Sequence, residues 1–181
     1  MRTRATARGL ELTELGLGAA QLGNLYRETT DDEVVETVDA AWDAGIRYFD
    51  TAPHYGLGLS ERRLGEQLRS RPRDEYLIST KVGKMLVPSP ERAHLRDDES
   101  YDVPADHRRV FDFSRDAVLR SLEQSLERLG LDRIDIAYLH DAENHFEQAS
   151  TEGISALIEL REQGVLRAVG AGMNYAAPLA E

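Results

Sequence analysis

The feature that most constrains the fold is an alternation of predicted strands and predicted helices along nearly the whole chain. Five short runs rich in aliphatic, aromatic and β-branched residues predict strands, at residues 13–21, 46–50, 76–81, 134–140 and 166–172. Segments with apolar residues at helical spacing separate these runs. Because parallel strands need a crossover between them, usually a helix, this order predicts an α/β fold with a parallel sheet and right-handed connections.

Capping residues set the expected limits of the four helices. Thr30 and Glu33 form a capping-box pattern at the start of the first helix. The expected N-caps of the other three helices are Ser60, Ser114 and either Ser150 or Thr151. The glycines expected to end helices are Gly45, Gly130 and Gly164. Residues 82–112 contain three prolines, many charges and no clear period, which predicts a long loop that carries function or is disordered.

Polar residues close the predicted strands. Side chains alternate across a strand, so Asp50, Lys81 and His140 each end the same face of their strand, and Asn174 follows the last strand. Ligands bind at the carboxyl ends of parallel strands both in β/α barrels and in open doubly wound sheets. No G-x-G-x-x-G opens a helix after the first strand, since G-L-G at 16–18 is too short, and this favours the barrel.

These strand-end residues form an acid–base constellation with Tyr55, which lies five residues after Asp50. A free phenol, with a pKa of about 10, is a poor proton donor at neutral pH, but a nearby ammonium such as Lys81 favours the phenolate. The Asp50 carboxylate keeps the lysine charged and oriented, and His140 can hydrogen-bond a substrate oxygen. Together they can protonate a developing alkoxide. Hydride transfer, the partner reaction, requires a nicotinamide or a flavin.

Composition excludes several other classes of protein. The formal net charge of −11 and the lack of a basic stripe argue against a nucleic-acid partner. The chain has no cysteine, which rules out disulfides and thiolate metal sites and agrees with a reducing cytoplasm, the expected location. No apolar run is long enough to span a bilayer, and the basic residues 1–8 lack a following apolar region, so we expect a plain N-terminal strand or arm and no membrane partner. With 181 residues, 41% of them hydrophobic, the chain is expected to form a single domain, residues 1–181.

Several motifs together resemble the aldo-keto reductase superfamily over nearly the whole chain. They are F-D-T-A-P-H-Y-G at 49–56, S-E-R-R-L-G at 60–65, I-S-T-K at 78–81, L-G-L-D-R-I-D-I-A-Y-L-H at 129–140 and G-A-G-M-N at 170–174. The resemblance implies a (β/α)8 barrel of the TIM type, with Asp50, Tyr55, Lys81 and His140 as the catalytic residues. Met173 departs from the serine that usually precedes the family's asparagine.

The resemblance also implies a cofactor and a substrate. NAD(P) is expected to contact Gly18, Asp50 and Asn174, with Asn174 holding the nicotinamide carboxamide. The glycine-rich run at 13–21 is typical of a buried strand whose backbone is closely approached by another group. The long segment 82–112 and V-F-D-F-S-R-D at 110–116 are most similar to the branch that oxidises sugars such as L-fucose or D-threo-aldoses, which includes pyridoxal dehydrogenases. The expected substrate is a small carbonyl compound or sugar, and no metal is expected.

The chain length adds an expectation about completeness. Five predicted strands correspond to about five of the eight units of a barrel that needs roughly 250 residues. The resemblance implies that the missing units would hold an aromatic residue that stacks on nicotinamide and the loops that grip the pyrophosphate and adenosine. The chain alone is therefore expected to bind NAD(P) weakly and to self-associate through exposed strand edges.

Four alternative interpretations stay open at the level of sequence. The same scaffold could be an inactive binding or regulatory module, because fold does not fix function. Lys81 at a strand end could form a Schiff base, as in an aldolase. His54, His140 and Asp50 could bind a metal, although no H-x-H or H-E-x-x-H spacing supports this. Finally, Asp50 could cap a turn while Tyr55 packs on the surface.

Overall fold

Nine strands lie among the residues that the computed structural model describes, 1–6 and 8–180. They are β1 (Thr3–Ala5), β2 (Glu11–Thr13), β3 (Leu17–Gly18), β4 (Tyr48–Asp50), β5 (Leu77–Val82), β6 (Lys84–Pro88), β7 (His107–Phe111), β8 (Ile136–His140) and β9 (Ala168–Gly172). The α-helices are α1 (Asp31–Asp43), α2 (Leu59–Leu68), α3 (Arg115–Leu129), α4 (Phe146–Gln148), α5 (Ile154–Glu162) and α6 (Ala176–Ala180). Ala7, within the predicted N-terminal arm, and Glu181 lie outside the described residues.

A five-stranded parallel sheet organises the fold. Its spatial order is β3-β4-β5-β8-β9, so the five strands of this sheet lie side by side in the order in which they occur along the chain. A doubly wound sheet would reverse direction at a switch point, whereas a β/α barrel adds strands in sequence. The predicted parallel α/β architecture is therefore confirmed, as five units arranged in barrel order.

The core forms where the helices cover one face of this sheet. Phe49, Ile78, Leu64 and Val118 are fully buried between strands and helices. Trp42 of α1 packs against Phe49 with ring centroids 6.5 Å apart, as expected for helix-to-sheet packing. Apolar burial of this kind stabilises by roughly 25 cal/mol per Å².

The opposite face of the sheet, which is the inner face of the barrel, carries a smaller apolar cluster near the amino ends of the strands. Leu77 and Ile136 pack there against Leu10, from the antiparallel β1–β2 hairpin. The hairpin confirms the expected N-terminal strand. The predicted strand at 13–21 is wrong as a single element, because Thr13 ends β2, β3 spans two residues and a 3₁₀ helix follows at Ala20–Gly23.

Helix boundaries follow the expected caps where the cap is local. Both hydrogen bonds of the Thr30–Glu33 capping box are present, and the Ser114 hydroxyl accepts from the Ala117 N–H at the start of α3. Gly130 ends α3 in the left-handed conformation, with φ of 62°. Gly45 and Gly164, just after their helices, also have positive φ angles.

Two predicted helix starts are wrong for tertiary reasons. Gly58, not Ser60, precedes α2; the buried Ser60 hydroxyl instead donates to the Ala19 carbonyl at 2.6 Å. The last long helix does not begin at Ser150 or Thr151. A 3₁₀ helix at Ala142–His145 leads into α4 at Phe146, and the chain passes through a π-helical segment, Ala149–Gly153, before α5.

The segment predicted as a long loop contains an antiparallel hairpin. Strands β6 and β7 pair from Lys84 opposite Phe111 to Pro88 opposite His107. The pairing partners lie up to 27 residues apart, so local sequence carries little information about it. None of the helices in the described part of the chain is long and apolar enough to cross a membrane.

Candidate active site

The carboxyl ends of three neighbouring strands bring the predicted polar residues together. Asp50 is the last residue of β4, Lys81 the penultimate residue of β5 and His140 the last residue of β8. The register aligns Asp50 with Ser79, and Lys81 with Tyr138, so the three side chains project from adjacent strands on one face.

The buried Lys81 and the partly buried Asp50 form an ion pair. Lys81 Nζ donates to Asp50 Oδ2 at 2.6 Å and to the Thr51 carbonyl at 3.0 Å. Burial alone would lower the pKa of Lys81, but the charge of Asp50 and the phenol of Tyr55 together raise it above its ordinary value. The lysine is therefore an ammonium at neutral pH.

Tyr55 reaches this pair from the loop after β4. The Lys81 ammonium lies 4.7 Å from the centroid of the Tyr55 ring, and the ring meets His140 edge to face at 5.8 Å. Backbone packing fixes the loop: an added Cβ at Gly23 would lie 2.6 Å from the Tyr55 carbonyl carbon, and one at Gly56 would lie 2.2 Å from the Gly23 carbonyl oxygen. Only glycine fits both positions, so the loop cannot shift easily.

His140 is held neutral inside the protein. Burial is the main cause that lowers its pKa to about 2, and the positive charges of Lys84, Lys81 and Arg109 add to the effect. Its Nδ1 is buried and makes no hydrogen bond with the described residues. A neutral imidazole carries one N–H donor and one acceptor, so it can donate a hydrogen bond to an oxygen without transferring its proton.

A second buried lysine, which sequence reasoning missed, lies beside His140. Lys84 Nζ donates to Asp141 Oδ2 at 2.6 Å, and Asp141 Oδ1 accepts from Asn174 Nδ2 at 3.1 Å. Asp141 adopts a left-handed backbone conformation with φ of 46°, which is unusual for aspartate and common at functional sites. One sequence signal was present: Lys81 and Lys84 are the two lysines of the whole chain.

The β6–β7 hairpin and its connecting loop form a wall over Tyr55. Arg109 binds both oxygens of Asp97, at 2.6 and 3.0 Å, and donates to the His54 carbonyl at 2.9 Å. Tyr101 stacks on Tyr55 with ring centroids 6.2 Å apart. Burial, followed by the charges of Lys84 and Arg109, lowers the pKa of His54 to about 2. This wall joins residues distant in sequence, and no local pattern marked it.

The residues expected to contact the cofactor occupy the same rim. Gly18 aligns with Asp50 in the sheet, is exposed, and an added Cβ there would meet no atom within 4 Å. The expected close approach to the glycine-rich run is met at Gly16, where an added Cβ would lie 2.8 Å from Tyr48 Cδ1, whereas the space over Gly18 stays open among the described residues. Asn174 is exposed just past β9, where Asp141 and Glu143 fix its amide side chain and backbone N–H.

Metal ligation has no geometric basis among residues 1–6 and 8–180. No three side chains drawn from His, Asp and Glu come together there in a way that could hold an ion. His54 and His140 lie edge to face with ring centroids 5.3 Å apart. The positive charges of nearby lysine and arginine side chains help to lower the pKa of both histidines, and these charges would also repel a metal ion.

Comparison with known protein sequences agrees with this geometry. The sequence profile of the Aldo/keto reductase family matches residues 14–180. A D-threo-aldose 1-dehydrogenase from a Pseudomonas species is 52% identical over 171 residues, covering 93% of this chain and 52% of the relative. Pyridoxal 4-dehydrogenase from Microbacterium luteolum is 39% identical over 185 residues, covering 92% of this chain and 53% of that protein.

A solved structure gives the same result for the fold. The holo form of an aldo-keto reductase from Bacillus halodurans aligns with a TM-score of 0.74 and 28% identity, over 96% of this chain and 51% of that one. Such aldo-keto reductase neighbours establish the (β/α)8 barrel type. The chain spans about half the length of the curated relatives it matches.

Proposed function

Because the chain belongs to the aldo/keto reductase family, we propose that it carries the proton-transfer centre of an NAD(P)-dependent oxidoreductase that interconverts an aldehyde or aldose and its alcohol or lactone. The observation that supports this most directly is the convergence of Tyr55, the Lys81–Asp50 ion pair and a neutral His140 at one edge of the sheet. A charged lysine beside a phenol and an uncharged imidazole is the arrangement that general acid–base catalysis at a carbonyl oxygen requires.

Each side chain has a distinct role in the proposed reduction. His140 donates a hydrogen bond to the carbonyl oxygen and orients it. Tyr55 gives its phenolic proton to that oxygen as negative charge develops, and the Lys81 ammonium stabilises the resulting phenolate. Asp50 keeps Lys81 charged and in place. In the oxidative direction Tyr55, as the phenolate, removes the hydroxyl proton while hydride leaves the carbon.

The residues at the rim fit a dinucleotide. When bound, a nicotinamide cofactor supplies or accepts the hydride that no side chain can carry. The open space over Gly18 admits a ligand close to the backbone, and the exposed, doubly anchored Asn174 offers an amide to the cofactor carboxamide. Asp50 borders this space, because it pairs with Gly18 in the sheet.

The substrate we propose is a small aldose or aldehyde. Support comes from the relatives, whose names specify D-threo-aldose, pyridoxal and L-galactose as substrates. An aldose oxidised at its anomeric carbon loses one hydride and one hydroxyl proton and yields a lactone. The charged side chains of Lys84, Asp141 and Arg109, which lie beside the site, suit a hydroxylated molecule better than an apolar one.

Schiff-base chemistry at Lys81 fits the site less well. An amine nucleophile must be uncharged when it attacks a carbonyl. Although burial lowers the pKa of Lys81, Asp50 and Tyr55 more than offset this, so the lysine stays protonated. The ion pair with Asp50 at 2.6 Å also occupies the nitrogen.

Replacement of Tyr55 by phenylalanine tests the proposed acid–base role. The change removes one hydroxyl and retains the ring that packs on Tyr101 and His140. We expect turnover of aldoses and aldehydes to fall by about 10²–10⁴-fold, the usual contribution of a positioned proton donor, with cofactor affinity little changed. Steady-state kinetics with NAD and NADP measure turnover, and calorimetry measures the affinity, in whichever form of the protein is active, including one with the missing barrel units restored.

The matched control is Tyr26→Phe, because the Tyr26 side chain is exposed. It should leave both quantities unchanged. Near-normal turnover by Tyr55→Phe would move the acid–base role to another group. Cofactor binding without any turnover by the unaltered protein would instead favour the inactive binding module.

A further inference from the structure

We propose that three hydroxyl groups beneath the site, those of Tyr138, Tyr48 and Ser79, form a directed hydrogen-bond chain that fixes the Asp50 carboxylate against Lys81. The chain makes Ser79 and Tyr48 positioning residues for the lysine. This role deepens the proposed function. It rests on one part of that function, the effect of Lys81 on the Tyr55 phenol.

The contacts form an unbroken series. Tyr138 and Tyr48 have their hydroxyl oxygens 3.1 Å apart, and the Tyr48 hydroxyl lies 3.0 Å from Ser79 Oγ. Ser79 Oγ donates to Asp50 Oδ1 at 2.6 Å, and the second carboxylate oxygen, Oδ2, accepts from Lys81 at the same distance. Both oxygens of Asp50 are thus held by short, charge-assisted hydrogen bonds.

The direction of the chain follows from counting protons. An ionised carboxylate only accepts, so the single Ser79 hydroxyl proton points to Asp50. Ser79 Oγ then accepts from Tyr48, and the Tyr48 oxygen in turn accepts from Tyr138. The competing acceptor of Ser79, the Phe49 carbonyl, lies at 3.5 Å and cannot compete with a contact of 2.6 Å.

Strand periodicity explains why the chain lies where it does. Tyr48, Ser79 and Tyr138 each precede a site residue by two positions on their strand, so they form the next layer inward on the same face. Ser79 is fully buried and the two tyrosines are partly buried among Leu77 and Ile136. Burial is the main cause that raises the pKa of Tyr48 above its ordinary value, so this phenol remains a donor at neutral pH.

The charge of Lys81 depends on this arrangement. The ionisable groups that face its ammonium are Asp50 from β4, Tyr55 from the following loop and the neutral His140 from β8. Burial favours the uncharged amine, and Asp50 is the first of the groups that oppose it. A carboxylate that lost the Ser79 donor would be less stable as an anion and free to rotate, which would weaken its hold on the lysine.

The chain offers an unusually direct test, because its two lysines are Lys81 and Lys84. NMR titration of isotope-labelled lysine ε-carbons therefore gives two resonances, and Lys84, paired with Asp141, is an internal reference. In Ser79→Ala we expect Lys81 to titrate at lower pH, because the carboxylate that opposes the effect of burial is no longer held against the ammonium. The Lys84 resonance is the internal reference and should not respond to the substitution.

Matched variants separate positioning from general loss of packing. Ser79→Thr retains the hydroxyl and should restore most of the Lys81 titration, whereas Tyr48→Phe should give a smaller shift than Ser79→Ala, since it removes a donor one step away. Ser125→Ala changes an equally buried serine on α3, whose hydroxyl accepts from Arg128 and contacts no site residue by hydrogen bond, and should give none. An unchanged Lys81 titration in Ser79→Ala would overturn the proposal.

Kinetics on the same variants separate this inference from the proposed function. If the enzyme turns over, the alkaline limb of its turnover should move to lower pH in Ser79→Ala, in parallel with Lys81. If neither the parent protein nor any variant turns over although NAD(P) is bound, while Lys81 still shifts, the proposed function fails and the hydrogen-bond chain stands. Turnover that retains its alkaline limb together with an unshifted Lys81 would show that Asp50 is positioned without the hydroxyls.

Discussion

At the scale of single residues, the buried His140 and the partly buried His54 couple the site to the stability of the fold. His54 and His140 lie edge to face beside Lys84 and Arg109. In the folded state the pKa of each is about 2, first because of burial and then because of these cations, whereas an unfolded histidine has a pKa of about 6.5. The folded protein therefore binds fewer protons than the unfolded chain between these two values.

The sign of the resulting pH dependence follows directly. Stability is full above a pH of about 6.5 and is lost progressively as the pH falls below it, by up to ~1.4 kcal/mol per pH unit for each histidine. Urea unfolding at a series of pH values from neutral to mildly acidic should show this decline. His54→Gln should reduce its slope, and the exposed His94, replaced in the same way, should not. A free energy of unfolding that stays flat across this range would contradict the neutral state of both rings in the folded protein.

Some residues of the site can be predicted from the sequence around them, whereas others depend on partners that are distant in sequence. Asp50, Lys81 and His140 could be predicted because strand parity and strand ends are local properties, and the structure places them together. Lys84, Asp141 and the Arg109–Asp97 pair could not, since each depends on a partner that only the folded chain brings near. Lys84 and Asp141, for instance, are 57 positions apart. The catalytic and cofactor-binding roles of the predicted residues remain predictions.

At the scale of elements, close helix packing depends on glycine. An added Cβ at Gly65 of α2 would lie 2.0 Å from the Leu129 carbonyl oxygen at the end of α3. The adjoining contact is polar: Glu61, fully buried, binds Arg128 at 2.5 Å and accepts from Thr80 at 2.7 Å. The two helices and β5 are therefore locked together at a distance that leaves no room for a methyl group.

Two glycine-to-alanine variants should affect different properties, one the stability of the fold and the other the binding of the cofactor. Gly65→Ala gains about 1 kcal/mol of helix propensity but forces two backbones apart, so we expect a net loss of stability of roughly 1–3 kcal/mol in urea unfolding. Gly18→Ala meets no atom of the protein within 4 Å and should leave stability nearly unchanged. It should instead weaken NAD(P) binding in calorimetry, because the methyl group enters the space proposed for the cofactor. A stability loss in Gly18→Ala equal to that of Gly65→Ala would show that the open space is misassigned.

Helix and strand boundaries could be predicted well where nearby residues determine them, and poorly where contacts between distant segments determine them. The Thr30 capping box and the Gly130 helix end are confirmed, since both are satisfied within one turn. Ser60 has the residue type of an N-cap, but its hydroxyl is used by the Ala19 carbonyl, 41 positions away. The β6–β7 hairpin was missed because charges and prolines obscure its alternation, and a buried Lys84 has no apolar signature.

At the scale of the whole molecule, the order of strands explains both the site and its exposure. Sequential parallel strands carry all their carboxyl ends to one rim, which is why four polar residues from distant segments meet. Within the described part of the chain, β3 and β9 each have a neighbour in this sheet on one side only. A largely apolar cleft lies near β9, lined by Leu10, Leu12, Ile136, Tyr138, Ala168 and Val169 and bordered by Thr6, Arg8, Arg161 and Arg167.

The last prediction concerns this edge and cleft. Unpaired backbone groups of an edge strand and an adjacent apolar face favour association with another chain, so the 181-residue chain prepared alone should self-associate in sedimentation velocity. Ala168→Lys places a charge on the inner face of β9 and should increase the monomer fraction. Val165→Lys, at an exposed position just before the strand, is the matched control and should have no effect. A parent chain that sediments as a monomer across the accessible concentration range would show that this edge is not an association surface. Equal effects of the two lysines would instead attribute the change to net charge.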